Sequence, residues 1–563
     1  MQPDEKTIFH EEKIPLFTWF LLTFLFGLGL RVWKLGGLSF TLAEAQAAQN
    51  AWMMALGNAA ELPGSMSYAG LSAILFRLFE PSSFLARFIP ALSGSVLVLV
   101  PWFWRDRLGD KTALVLAVGL AIDPILLTFS RQIITPVIVL SALALAATAL
   151  RYKRPVLAGV FFGAAFLGGY TFWVAAVVGA VYCFVSRKDP AAPLDFSVFR
   201  DKAFLIRFLT AFVLSLASIS SAFLLSPNGL GGIAGGLVEL VKVLGEPYKL
   251  ELYQPIIIGI AYSLLPLLFA VWEFVSNLQN KQPTKNLPYL IAWGVSVLLS
   301  VLLGRLDLGF LAFAAVFAWL GAAEGISRLI EQKTEQQEIV FGVTLFQIVI
   351  LGYILMVSRR LTGVSVGSQD FRFSALAVFA GVLLMVISTI LVTFGWRRQV
   401  STKALQNSLL IMLLVVTLGI GLRSINSGSQ SATLSVLAGP ILLPNNDVAA
   451  AVHEIDRNGM VDKAEITYDL GDLKPDFSWF FRYQDDWESS KSVLQADLVL
   501  STAEQSFSAA DEYRGRNVVL YRQIDQPMVK PIRFLETLLG EPLPMTSTSG
   551  ILWVRLNLFT GAN

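Results

Sequence analysis

Residues Leu38–Leu56 read LSFTLAEAQAAQNAWMMAL. They follow the first apolar block of the chain directly, yet are polar enough to sit outside lipid. Thr41 and Glu44 stand three apart as Thr-x-x-Glu, the capping-box pattern that starts a helix. From Glu44, the positions Ala47, Ala48, Ala51 and Ala55 fall on one helical face. A stripe of alanines lets a helix lie close against others. The spacing predicts an outer amphipathic helix over 41–57, pressed onto a membrane bundle with one carboxylate at its start. Glu44 then has two readings. One is a cap alone; the other is an acid in a site at the membrane surface.

The rest of the chain supplies the bundle. Of 563 residues, 55% are hydrophobic and 15% charged, against about 25% charged in an average soluble domain. The mean hydropathy is +0.63. Apolar residues come in blocks of span length, the mark of a polytopic membrane protein. The net charge of +2 hides an asymmetry: the stretch from Ser424 onward carries 18 acids against 11 bases, so the preceding part is basic. Basic loops between spans are what membrane topology requires, and nothing here points to a nucleic-acid partner. Cys183 is the single cysteine, so no internal disulfide can form. His10 and His453 are the only histidines, which argues against a His/Cys metal site. The N-terminal MQPDEKTIFHEEK is followed by no small-residue cleavage site, so the first span is expected to stay as an anchor.

Spans are expected at about 16–30, 84–104, 112–129, 133–150, two within 156–185, 208–225, 256–275, 287–303, 308–323, 339–356, 375–394 and 405–422. The total is about thirteen, with the N-terminus cytoplasmic and the C-terminus outside. Met66–Phe79 is apolar but short. Gly168-Gly169-Tyr170 reads as a turn, and the glycine-rich 227–236 as loop or re-entrant backbone. From about 426 the pattern changes. Residues 447–458 read as helix, and 464–468, 497–501, 517–522 and 551–558 as strands. The fold class is thus mainly α: a transmembrane bundle over 1–425, with a small extracytoplasmic α/β domain over 426–563.

By this topology the outer face gathers Glu44, Arg87, Arg131, Glu239, Lys242, Arg305 with Asp307, and Arg359-Arg360. Guanidinium groups pair bidentately with phosphate, and a leaving phosphate develops charge that such donors stabilise. The competing reading is that each arginine marks the headgroup boundary. Arg131 is the best placed, in Thr128-Phe129-Ser130-Arg131 at a helix junction just before Pro136. In the outer domain, DFSWFFR at 476–482 sets Trp479 and Arg482 in a short aromatic run, suited to sugar stacking or to core packing. Asp485-Asp486 offers oxygens to a divalent cation, but no fuller ligand pattern surrounds it, and a solvated acidic turn is expected.

Four stretches, in order, resemble the GT-C membrane glycosyltransferases, in particular bacterial relatives of the protein O-mannosyltransferases and aminoarabinose transferases. TLAEAQAAQNAW (41–52) is similar to that family's Asp-Glu-Ala helix after span one. FRLFEPSSFLARFIPALSGSVLVLV (76–100) resembles its Leu-Phe-Gly and Arg-x-Pro-Ser-Ala pattern. DPILLTFSRQIITPVIVLSALAL (123–145) resembles its Ser-Arg junction, and DFSWFFR its outer Trp-Tyr-x-Arg stretch. The resemblance implies transfer of a sugar, with inversion, from a polyprenyl-phosphate donor to an extracytoplasmic lipid, glycan or protein acceptor, by a multi-pass protein of the plasma or inner membrane. It implies Glu44 as the catalytic carboxylate, serving as base or acceptor binder, Arg131 and Arg305 on the donor phosphate, and Arg87, Tyr170, Trp479 and Arg482 on acceptor or sugar. No metal ligand set and no resident cofactor are implied, a divalent cation being an option. Two family acids are replaced, by Ala43 and Pro136. Either Glu44, Glu239 or Asp307 takes the acceptor proton, or the chain is a non-catalytic lipid- or glycan-binding scaffold of the cell envelope.

Overall fold

The computed structural model describes residues 15–37, 40–58, 65–187, 196–245, 253–280, 286–303, 308–332, 336–361, 368–426, 441–443, 466–469, 479, 498–502, 513–524 and 545–556. The first helix, α1 (Leu16–Val32), leads into strand β1 (Phe40–Thr41) and then the outer helix α2 (Leu42–Ala55). A short apolar helix, α3 (Met66–Leu78), follows. Next come α4 (Ser83–Leu108), α5 (Asp110–Ile122), α6 (Pro124–Ser130) and α7 (Thr135–Arg151). After these run α8 (Pro155–Phe166), α9 (Tyr170–Ser186), α10 (Lys202–Ser220), α11 (Gly235–Gly245) and α12 (Gln254–Tyr262). The bundle finishes with α13 (Leu264–Gln279), α14 (Leu287–Leu303), α15 (Leu311–Glu331), α16 (Gln337–Ser358), α17 (Gln369–Gly395) and α18 (Arg398–Asn426).

Among the described residues, seven helices are long and apolar enough to cross a membrane, or up to ten if each of three bent pairs counts as one span. The expected thirteen spans are not reached in this count, and the reason is length. Helices α8 and α9 hold 12 and 17 residues, so at 1.5 Å per residue they reach only about 18 and 26 Å, short of a hydrocarbon core about 30 Å thick. They bend by 120° at the glycine turn and make one broken element. The pair α5–α6 bends by 56° at Asp123, and α12–α13 by 80° at Ser263. Helices α7 and α14, at 17 residues each, are likewise short for a straight crossing. The flanks of the bundle are greasy as a lipid-facing surface must be: Phe341, Leu214 and Phe394 are 71%, 60% and 86% exposed.

The glycine-rich stretch is helical, forming a 3-10 turn at Pro227–Ala234 that runs into α11. Its glycines serve close approach. A Cβ on Gly229 would lie 1.9 Å from the Ser220 carbonyl oxygen, and one on Gly236 would meet Gly169. Helix α3 presses onto α10 in the same way, at Gly70 against Ile219.

Outside the bundle, strands β2 (Ile441–Leu443), β3 (Ile466–Asp469), β4 (Leu498–Thr502), β5 (Tyr513–Ile524) and β6 (Met545–Arg555) join β1 in one sheet. The order is β1-β2-β5-β6-β4-β3, with β3 and β4 parallel and the other pairs antiparallel. All four expected strands are present, with β5 and β6 longer than expected. The edge strand β1 comes from the stretch just ahead of α2, pairing Phe40 with Leu443 and Thr41 with Leu442. Sheet and outer helices share a core: Phe40, Ala48, Ala51 and Tyr68 pack in one cluster with Val518, Leu520, Leu552 and Val554. The expected helix at 447–458 and Asp485-Asp486 lie outside the described residues.

Candidate functional site: a buried arginine cluster

The capping box forms as the spacing predicts. Thr41 Oγ1 accepts from Glu44 N at 3.2 Å, and Glu44 Oε2 accepts from Thr41 N at 3.0 Å. The alanine face then buries Ala45, Ala48, Ala51 and Ala55 with Glu44, whereas Ala43 is exposed. The carboxylate does more than cap. It accepts Arg87 Nε on Oε1 at 3.0 Å and Arg87 Nη2 on Oε2 at 3.1 Å. It also accepts Ile133 N on Oε1 at 2.9 Å. Four N–H donors thus fill both oxygens, and a carboxylate has about four lone-pair sites. Glu44 is 2% exposed and Arg87 1%. A group so held has no acceptor site to offer a substrate hydroxyl unless one of these bonds breaks.

Arg87 is pinned from three directions. Besides Glu44, its Nη1 donates to Leu35 O at 3.3 Å, and its guanidinium lies 4.1 Å from the Phe40 ring centre. Arg131 follows α6 in the turn before α7, whose first turn holds Pro136. Its Nη1 donates to Leu30 O at 2.7 Å, Trp33 O at 2.8 Å and Arg31 O at 3.1 Å. These are carbonyls that the end of α1 leaves without intrahelical partners, so the guanidinium caps that helix. Its Nε and Nη2 are buried and have no partner among the described residues. Burial, and after it the like charge of Arg87, draws Arg131 down to about 10; it stays cationic at neutral pH.

Arg31, in the last turn of α1, completes the cluster and is fully buried. Its Nη2 donates to Leu120 O at 3.0 Å and its Nη1 to Gly27 O at 3.0 Å, while Nε is unpartnered. Asp123 stands where α5 breaks into α6. It caps α6 by accepting Leu126 N at 3.0 Å, and accepts Trp319 Nε1 from α15 at 2.9 Å. Three buried guanidinium groups therefore face two buried carboxyl groups at one end of the bundle. The other end carries Arg151 with Asp106, Lys111 with Glu331, and Arg328 with Glu273.

No family model matches the sequence, and no curated protein matches it. Solved structures do match the fold. ArnT from Cupriavidus metallidurans bound to undecaprenyl phosphate superposes with a TM-score of 0.54, covering 96% of this chain and 97% of that one at 13% identity. The chain shares the fold of ArnT. ArnT in its apo state gives a TM-score of 0.52 at 12% identity, covering 96% and 98%. At such identity the likeness to ArnT is one of fold, extending over the bundle and the outer sheet together.

Set on that fold, the residues expected from sequence divide. Glu44, Arg87 and Arg131 come together, bridged through Glu44 and the 131–134 turn. Tyr170 starts α9 and sits edge-on to Phe310, 5.8 Å between ring centres. Trp479 is fully buried, 6.1 Å from Phe40 and 5.5 Å from Phe76 between ring centres. Core packing has won there over an open sugar platform, because the ring fills the gap between α3 and β1. Arg305, Asp307 and Arg482 lie outside the described residues. Arg31 and Asp123 were missed by sequence reasoning. An arginine at the end of an apolar block and an acid inside one were the available signals.

Proposed function

We propose that this chain is a multi-pass membrane glycosyltransferase of GT-C type that takes a sugar from a polyprenyl-phosphate-linked donor. The observation that carries the reading is Arg131. Its Nε and Nη2 are buried donors with no partner among the described residues, within a cluster holding more cations than anions. A guanidinium edge is shaped for two phosphate oxygens. The crystal structure of ArnT bound to undecaprenyl phosphate, sharing this fold, supports a lipid phosphate as the ligand. With the N-terminus in the cytoplasm, the cluster and the sheet face outward, and the acceptor is an extracytoplasmic lipid, glycan or protein.

In this reading the protein's share of catalysis is electrostatic. As the bond between sugar and phosphate breaks, negative charge grows on the departing phosphate, and a fixed cation nearby stabilises that charge. Arg131 holds its position because its other nitrogen caps α1. Glu44 acts as a positioning residue: it clamps Arg87, the start of α2 and the turn carrying Arg131. Arg305 remains a second donor-phosphate candidate, with Asp307 and Glu239 as candidates for the acceptor proton.

A second reading is favoured by the saturation of Glu44 together with Ala43 and Pro136: the chain binds the lipid-linked sugar without transferring it. One experiment separates the two. Purified protein is given a polyprenyl-phosphate sugar with a panel of envelope lipids and glycans, and both retained lipid and released polyprenyl phosphate are measured by mass spectrometry. Release that disappears in Arg131→Gln supports transfer. Retention without release across the panel supports the scaffold, and neither retention nor release overturns both.

A further inference from the structure

A cavity lies at the end of the bundle away from the arginine cluster. Along α4, Arg87 and Arg105 are eighteen residues apart, about 27 Å of helix. The cavity lies beyond that span, where α5, α16 and α18 begin and α15 ends, and its volume is about 510 Å³. Lys403, in the second turn of α18, lines it and is 9% exposed. Lys403 makes no hydrogen bond and no ion pair among the described residues. Its stem is largely buried while its ammonium opens into the cavity, so an anion entering there would meet a cation with no counter-charge among the described residues. Asn407 lies one turn further along the same face of α18 and also lines the cavity. Among the described residues the cavity has one acid, Glu331, held by Lys111 at 2.9 Å. The described polar lining therefore carries one unanswered positive charge, on Lys403.

Gln332, Gln337 and Thr344 add neutral polar groups, and the rest of the lining is apolar. Phe341, Leu345 and Ile348 stand on one stripe of α16 at intervals of four and three residues, and all line the cavity. Phe341 and Leu345 are 71% and 54% exposed. Polar groups at the helix ends, continued by an exposed greasy stripe toward the middle of the bundle, match an amphiphile standing upright in one leaflet.

We propose that this cavity is a binding site for an anionic phospholipid, with the phosphodiester ion-paired to Lys403 and an acyl chain lying along Phe341, Leu345 and Ile348. The site is separate from the donor site and does not depend on it.

The test uses full-length protein in phosphatidylcholine nanodiscs, titrated with dioleoyl phosphatidylglycerol and followed by native mass spectrometry and thermal unfolding. Phosphatidylglycerol is expected to be retained saturably and to raise the unfolding temperature. Lys403→Gln is expected to weaken retention about tenfold, and Lys403→Arg to preserve it. Arg131→Gln, at the other end, is expected to leave it unchanged, which separates this site from the donor reading. In phosphatidylcholine alone, Lys403→Gln should unfold at or above the temperature of the unmodified protein, since the lysine makes no ion pair there that the change could remove. The proposal is overturned by equal retention of phosphatidylcholine, by unaltered affinity in Lys403→Gln, or by a lowered unfolding temperature of that variant without anionic lipid. Glycerol 3-phosphate competing as well as the lipid would also overturn it, because the site would then be one for soluble anions.

Discussion

Arg87 meets Glu44 edge to edge, Nε to Oε1 at 3.0 Å and Nη2 to Oε2 at 3.1 Å, with both side chains out of contact with water. The two lie on α4 and α2, and through Ile133 N the same carboxylate reaches the turn that carries Arg131. One pair thus fastens the outer helix to the bundle and sets the geometry of the cluster.

The pair should behave as a bolt. Removing one partner leaves the other charge buried and alone, a loss of about 3–5 kcal/mol. Glu44→Ala and Arg87→Ala should each lower stability by that much in chemical or thermal unfolding. The double variant should lose much less than the sum, because neither charge is stranded. Glu44→Gln should reduce any sugar transfer without moving its pH profile. A lost titration in that profile would restore Glu44 as the proton acceptor.

Arg131 carries two duties on one guanidinium, capping α1 and presenting a free edge. Lysine has no fork, so Arg131→Lys should keep the charge but fail at both. Binding of polyprenyl phosphate, read by retained lipid, should fall by tenfold or more in Arg131→Gln, on the order of 1.5–3 kcal/mol for a charge-assisted contact. Because Arg131 is lowered only to about 10, its charge persists through neutrality. Affinity should hold level there and drop as the pH rises through about 10. Equal affinity in the glutamine variant would remove Arg131 from the site.

How much of this could be read in the sequence follows from the range of each interaction. The capping box is local, and Thr41 and Glu44 pair as their spacing says. The turn at Gly168-Gly169 is local too, and α8 and α9 meet there. The partner of Glu44 is 43 residues away and that of Asp123 is 196. No periodicity encodes such distances. Strand β1 is two residues long and pairs with a segment 400 positions on, so it is invisible before the chain is folded. The span count differs for another reason: apolar blocks report burial in lipid or protein alike, so the short helices α7 and α14 and the two arms of the bent pair α8–α9 each read as a span.

The break in α5–α6 is held by a close fit as well as by a hydrogen bond. A Cβ on Gly119 would stand 2.2 Å from Cε3 of Trp319, whose Nε1 reaches Asp123. Gly119→Ala should therefore destabilise by about 1–3 kcal/mol through overpacking. The same change in a Trp319→Leu background should cost far less. Trp319→Phe keeps most of the bulk but strips a donor from a buried carboxyl oxygen, a loss of about 1–3 kcal/mol. Thermal unfolding of the unmodified protein, Gly119→Ala, Trp319→Leu and the double variant forms a cycle, and simple additivity in it would refute the steric account.

The outer sheet is docked through Trp479, and docking should be separable from folding of the bundle. The ring sits between Phe40 of β1 and Phe76 of α3, so its removal opens a cavity where sheet and outer helices share a core. Trp479→Ala should cost about 3–5 kcal/mol of local stability. Thr41 is at once a residue of β1 and the cap of α2, so loosening the sheet should also loosen the start of α2. Limited proteolysis should then cut faster both within 426–563 and near residues 38–41, while the helices from α4 onward stay protected. Protection at 38–41 that survives the substitution would show that the Glu44 clamp alone holds the outer helix, and that the sheet is carried by α2 without bracing it.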